Sequence, residues 1–183
     1  MGDALDRIPS RSAVQVWLDR WPALDAEFGN GHAVRLEEFL LQHIRVGGRS
    51  GFRAAWVVAL LSVSGRMMTP NVELALLEVL DAKEDPSIQR EAIRALLSQT
   101  LSEEALEVLT AWAVEVVHIP DRPAAEHHQA LAVLSRWMQV GSLSLLSRYG
   151  PEVNEALDAL LRSPRGHHKK KAAQLKAQLS EIG

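Results

Sequence analysis

The sequence predicts an all-α fold, an α-α superhelix of about four stacked helix pairs. Three observations carry that expectation. Nearly every segment places its apolar residues at helical spacing, and no alternating run bounded by turn pairs suggests a strand. Helix-opening and helix-closing residues recur at regular intervals. The second helix of each pair also repeats, with a small residue at a fixed place.

The elements follow in order. Ser12-Ala-Val-Gln15 has the spacing of a capping box and opens an N-terminal helical segment. Pro22 interrupts its pattern after Trp21, and Gly29-Asn30-Gly31 ends the region. A helix over about 32–46 stops at Gly47-Gly48, most simply a helix C-terminus. Another covers about 50–65. Thr69-Pro70 and Asp85-Pro86 each read as an N-cap followed by proline in the first turn. Ser102 opens the next helix, and Glu103 and Glu104 suit its positive end. Asp121 and Pro123 open the one after, and Gly150-Pro151 and Pro164-Gly166 bracket the last two. Residues 1–31 form an N-terminal helical extension and 32–183 the stack, one compact domain together.

The repeat is read from FRAAWVVALLS at 52–62, SIQREAIRALL at 87–97 and EHHQALAVLSR at 126–136. Ala55, Ala92 and Ala130 align at spacings of 37 and 38 residues, and Ala172 begins a weaker copy 42 residues on. A small side chain there lets a neighbouring helix approach, while Leu96 and Leu134 fill the next layer. Each pair cannot bury its apolar face alone, so stacking is required.

Asp85-Pro-Ser-Ile-Gln-Arg-Glu-Ala-Ile-Arg-Ala-Leu96 resembles the HEAT consensus of Asp-Pro, a β-branched residue, a polar residue, two variable residues and alanine. Gln89 stands where HEAT units usually carry arginine. The resemblance covers about residues 32–182. The order HAVRLEEFLLQHI, FRAAWVV, SIQREAIRALL and GHHKKKAA is also similar to a family of short bacterial HEAT-like proteins, some labelled adenylosuccinate lyase. The Ser-Ser-x-Met-Pro-x-Lys-x-Asn loop of those lyases does not occur in this sequence. The resemblance therefore implies a fold and says little about function.

Composition narrows the function classes. Hydrophobic residues make up 47% and charged residues 23%, values of an ordinary globular domain rather than a disordered chain. The absence of cysteine excludes disulfides, zinc-thiolate sites and thiol nucleophiles, and fits a cytoplasmic location. The opening MGDALDRIPS carries two aspartates and no apolar core, unlike a signal peptide. The longest largely apolar stretch, Ala54–Val63, is far short of the ~20 residues of a membrane span. Charge is uneven. Residues 67–159 hold six Lys/Arg against fifteen Asp/Glu, whereas 160–183 hold six against one. The acidic middle argues against a long nucleic-acid footprint.

No catalytic or cofactor constellation is expected. Neither a P-loop nor a dinucleotide-binding glycine pattern occurs. The paired His127-His128 and His167-His168 point about 100° apart on a helix and are expected on solvated helix surfaces, not as metal ligands. Of the five tryptophans, Trp56, Trp112 and Trp137 lie in apolar stripes and are expected to pack between helices. Trp17 and Trp21 are expected to seal the N-terminal end. An aromatic and basic cleft of the kind found in HEAT-like DNA glycosylases is the alternative, giving a nucleic-acid-binding protein; no aspartate beside a tryptophan marks a glycosylase base.

One pattern suggests a site. Two residues before each repeat alanine stand Arg53, Arg90, His128 and Lys170, about 160° around the helix from the alanine. On stacked second helices these form a basic ladder along the concave face, which Arg49 and Arg94 widen. Such a face suits a protein or acidic peptide, or a phosphorylated ligand. The basic stretch Arg165–Lys171 is expected to start a final capping helix, with Ala172, Leu175 and Leu179 as its apolar stripe.

Overall fold

A computed structural model describes residues 31–65, 69–81, 86–164 and 166–182, together with 15, 16, 19, 20, 22, 23, 26 and 27, which are helical. The capping Ser12, Trp17, Trp21, Asp85 and Arg165 lie outside the described residues. The described residues form eight longer helices and no strand. These are α1 (Gly31–Val46), α2 (Gly48–Val63), α3 (Pro70–Asp81), α4 (Pro86–Leu97), α5 (Glu103–His118), α6 (Ala124–Val140), α7 (Leu143–Arg162) and α8 (Lys169–Ile182). None is long and apolar enough to cross a membrane. Contacts divide the chain into two units, 1–100 and 101–183.

In the first unit α1 packs on α2, α3 on α4, α1 on α3, and α2 on α4. Four helices thus make two layers, with α1 and α3 in one and α2 and α4 in the other. The turn from α1 to α2 is a single residue, Gly47, at φ 76° and ψ −160°. That region of backbone space is essentially closed to side-chain-bearing residues. Its N–H bonds back to the carbonyls of His43 and Ile44. Helix α2 then buries Ala54, Ala55, Val57, Val58, Ala59 and Leu61 completely. Such breadth of burial is that of a helix covered on several sides. At Gly51, a Cβ would sit 3.0 Å from the His43 carbonyl oxygen and 3.2 Å from Ile88 Cδ1. Glycine lets α2 approach α1 and α4 together.

Thr69 opens α3, as its Thr-Pro pair suggests. The Val72 N–H donates to Thr69 Oγ1 at 3.3 Å, and the hydroxyl donates to Glu37 Oε1 of α1 at 2.6 Å. One side chain therefore caps one helix and ties it to its layer neighbour. A cap of this kind stabilises by ~0.5–2 kcal/mol.

The second unit has the same order of contacts: α5 on α6, α7 on α8, α5 on α7, and α6 on α8. It also repeats the capping device. Ser102 caps α5 through the Ala105 N–H. Ser142 caps α7 through the Leu145 N–H at 3.3 Å and donates its own proton to Glu103 of α5 at 2.6 Å. Trp137 of α6 is the largest fully buried side chain among the described residues. Lys176 and Asp158 join α8 to α7.

Gly150-Pro151 does not bracket a helix, contrary to the sequence expectation. Helix α7 runs through both residues without a break. Its apolar stripe explains why: Leu145, Val153, Ala156, Leu157 and Leu160 are buried, in phase on either side of the proline. Proline normally disfavours helical backbone in the residue before it through a clash with that residue's Cβ. Gly150 has none, and its Cβ direction faces open space.

All four repeat alanines, Ala55, Ala92, Ala130 and Ala172, are fully buried. Ala92 and Ala130 are the seventh residues of their helices and Ala55 the eighth, while Ala172 is the fourth of α8. The fully buried Leu96 and Leu134 follow four residues after theirs.

Candidate binding surfaces

The six basic-ladder residues fall on the second helix of each pair. Arg49 and Arg53 stand on α2, Arg90 and Arg94 on α4, His128 on α6 and Lys170 on α8. Arg53 is half-buried and the other five are exposed. Since α2 packs on α4, and α6 on α8, the positions come two helices to a unit. Several are engaged within the chain. Arg94 lies 3.6 Å from Glu91, and Arg53 and Arg90 each interact with a neighbouring group. A ligand would have to compete with those contacts.

Of the paired histidines, His128, His167 and His168 are exposed as expected, the last two ahead of α8 rather than on a helix, and His127 departs from expectation. His127 is fully buried rather than solvated. It occupies the stripe His127, Ala130, Leu131 and Leu134, whose spacing faces one side of α6. Its Nε2 lies 3.1 Å from the Ile119 carbonyl oxygen. A carbonyl only accepts, so Nε2 is the donor in this contact. Nδ1 is buried and has no hydrogen-bond partner among the described residues. His168, at φ 59°, places its Nε2 3.0 Å from the Ala124 carbonyl oxygen. The two histidine pairs meet ring to ring, His127 with His167 at 6.0 Å between centroids and His128 with His168 at 5.3 Å. Among the described residues no group of three or more His, Asp or Glu is placed to hold a metal ion.

Trp137 packs as expected, whereas Trp56 and Trp112 are half-buried. Between α5 and α7, Glu107 accepts from Tyr149 Oη at 3.1 Å and pairs with Arg148 at 2.6 Å. Burial raises the pKa of the Tyr149 phenol. The hydrogen bond to Glu107 and that group's negative charge act in the same direction, and Arg148 opposes them.

Two grooves were not foreseen from the sequence. In the second unit, Leu143, Leu146, Ser147, Gly150 and Pro151 of α7 and Leu179 of α8 line about 500 Å³. In the first, α1 and α3 enclose about 550 Å³. Its floor is Leu41, Leu74 and Val46, and its banks carry Glu37, Glu38 and Glu78, with Arg45 held 3.3 Å from Glu78. The available signal was Leu74, which falls off the buried stripe of Val72, Ala75, Leu76, Val79 and Leu80 and is 51% exposed.

No known protein family, curated protein or solved structure matches this chain.

Proposed function

We propose that this chain is a non-catalytic protein-binding module of HEAT-like build, an α-α superhelix of stacked helix pairs. It engages an acidic or phosphorylated segment of a partner protein through its second helices. The observation that carries this reading is the recurrence of one packing order. In both units the first helices pack on one another, and so do the second helices. Equal repeat positions on packed second helices then come near one another. On this reading the positions two before the buried alanines pair Arg53 with Arg90, and His128 with Lys170. Arginine suits the role because its planar fork grips carboxylate or phosphate with two parallel hydrogen bonds. The cytoplasm is the proposed location, in keeping with a sequence without cysteine.

The test is fluorescence anisotropy with a labelled peptide rich in glutamate and phosphoserine. Arg53→Ala with Arg90→Ala should weaken binding about tenfold or more, a change on the scale of 1.4 kcal/mol. The thermal midpoint is measured alongside, because Arg53 is half-buried. Equal binding by the double variant contradicts the proposal. Tighter binding of duplex DNA, with a steep loss of affinity on adding salt, would favour a nucleic-acid role instead.

A further inference from the structure

The groove between α1 and α3 combines an apolar floor with acidic banks, on the layer away from the ladder arginines. Leu74 and Val46 are 51% and 75% exposed, so a large part of the floor faces solvent. Covering these side chains with an apolar partner surface would remove them from water, which favours association. The banks set the sign of the partner. Glu37, Glu38 and Glu78 line the groove against one cation, Arg45, and Arg45 is already paired with Glu78. Glu37 accepts the Thr69 hydroxyl, and Glu38 is exposed with no ion pair among the described residues.

Helical walls also select the conformation of the occupant. Apart from their end turns, α1 and α3 use their backbone donors and acceptors within each helix, so the walls offer no ladder to an extended strand. A helix brings its own backbone bonds satisfied, and its ridge of side chains seats between two neighbouring helices. The α1 lining runs from Glu37 to Val46, which at 1.5 Å per residue is ~14 Å, or two and a half turns.

We propose that this groove docks an amphipathic helix of a partner protein. The partner places apolar residues at positions i, i+3 or i+4, and i+7 over Leu41, Leu74 and Val46. Lysines or arginines flanking that stripe meet Glu37, Glu38 and Glu78. This surface belongs to the first-helix layer and the ladder arginines to the second, so failure of either proposal leaves the other standing.

The probe is a labelled helical peptide of leucine and lysine, about 18 residues or five turns long. Two relatives accompany it, one with glutamate in place of lysine and one with serine in place of leucine. The leucine–lysine helix should bind at least about tenfold more tightly than either relative. Leu74→Ser should weaken it about fivefold or more, and Glu38→Lys with Glu78→Lys about tenfold. Glu152→Lys with Glu155→Lys, exposed acids on α7, should leave it unchanged. Circular dichroism verifies that each variant folds. Absence of binding overturns the proposal, as does an equal loss in the α7 control or equal binding of the serine–lysine peptide. Concentration-dependent dimerisation abolished by Leu74→Ser would also overturn it, by making a second copy the occupant.

Discussion

Thr69→Val removes one hydroxyl and keeps the shape of the side chain. That hydroxyl accepts the Val72 N–H and donates to Glu37. Loss of the cap costs ~1 kcal/mol. Loss of a hydrogen bond to a carboxylate costs ~1.5–3 kcal/mol when shielded. Thr69 and Glu37 are both only half-buried, so water replaces part of that bond and ~1 kcal/mol remains. The total is ~2 kcal/mol. For a chain of this length each kcal/mol moves the thermal midpoint by about 2–4 °C, which gives a fall of ~4–8 °C. Thr69→Ser keeps both bonds and should melt near the parent temperature. Urea unfolding followed by circular dichroism gives the same comparison in free energy. A midpoint for Thr69→Val equal to that of Thr69→Ser would refute the assignment of two roles to one hydroxyl.

Other perturbations test other parts of the structure. Ala92→Leu forces extra carbons into a fully buried site and should cost ~1–3 kcal/mol, whereas Ala173→Leu at an exposed position should be near neutral by thermal melting. Pro151→Ala should stabilise by ~1–2 kcal/mol, since a helix-interior proline costs ~3 kcal/mol and part of that is offset by its stiffening of the unfolded chain; a lowered midpoint would contradict this. Tyr149 is the only tyrosine, so near-ultraviolet absorbance of the phenolate reports its titration directly. Its pKa is raised in the folded state, so its contribution is fully present below the unfolded value of about 10 and is lost as pH rises through the folded value. Alkaline unfolding should therefore be blunted in Tyr149→Phe, and identical alkaline profiles would count against the Glu107 contact.

Much of this architecture was legible because local signals and packing agree. Thr69 and Ser102 cap the helices their sequence positions suggest, and the repeat alanines are all buried. Periodicity was the sounder guide where signals conflicted. Gly150-Pro151 looks like punctuation, yet the apolar stripe of α7 stays in phase across it and the packing overrides the local signal. His127 follows the same rule: its residue type suggests surface, and its register with Ala130 and Leu134 places it inside. What sequence could not convey was proximity between distant segments. Ser142 meets Glu103, and His128 meets His168, only because α7 packs on α5 and α8 on α6. The α1–α3 groove is of this kind too, since its banks come from residues more than thirty positions apart.

The proposed binding face for an acidic segment is the second-helix layer. Amide hydrogen exchange of the intact chain, with and without saturating glutamate–phosphoserine peptide, tests it most directly. Exchange should slow within α2 and α4, near Arg53 and Arg90, with α1 and α3 unchanged. Protection confined to α1 and α3, or absent throughout, would contradict it.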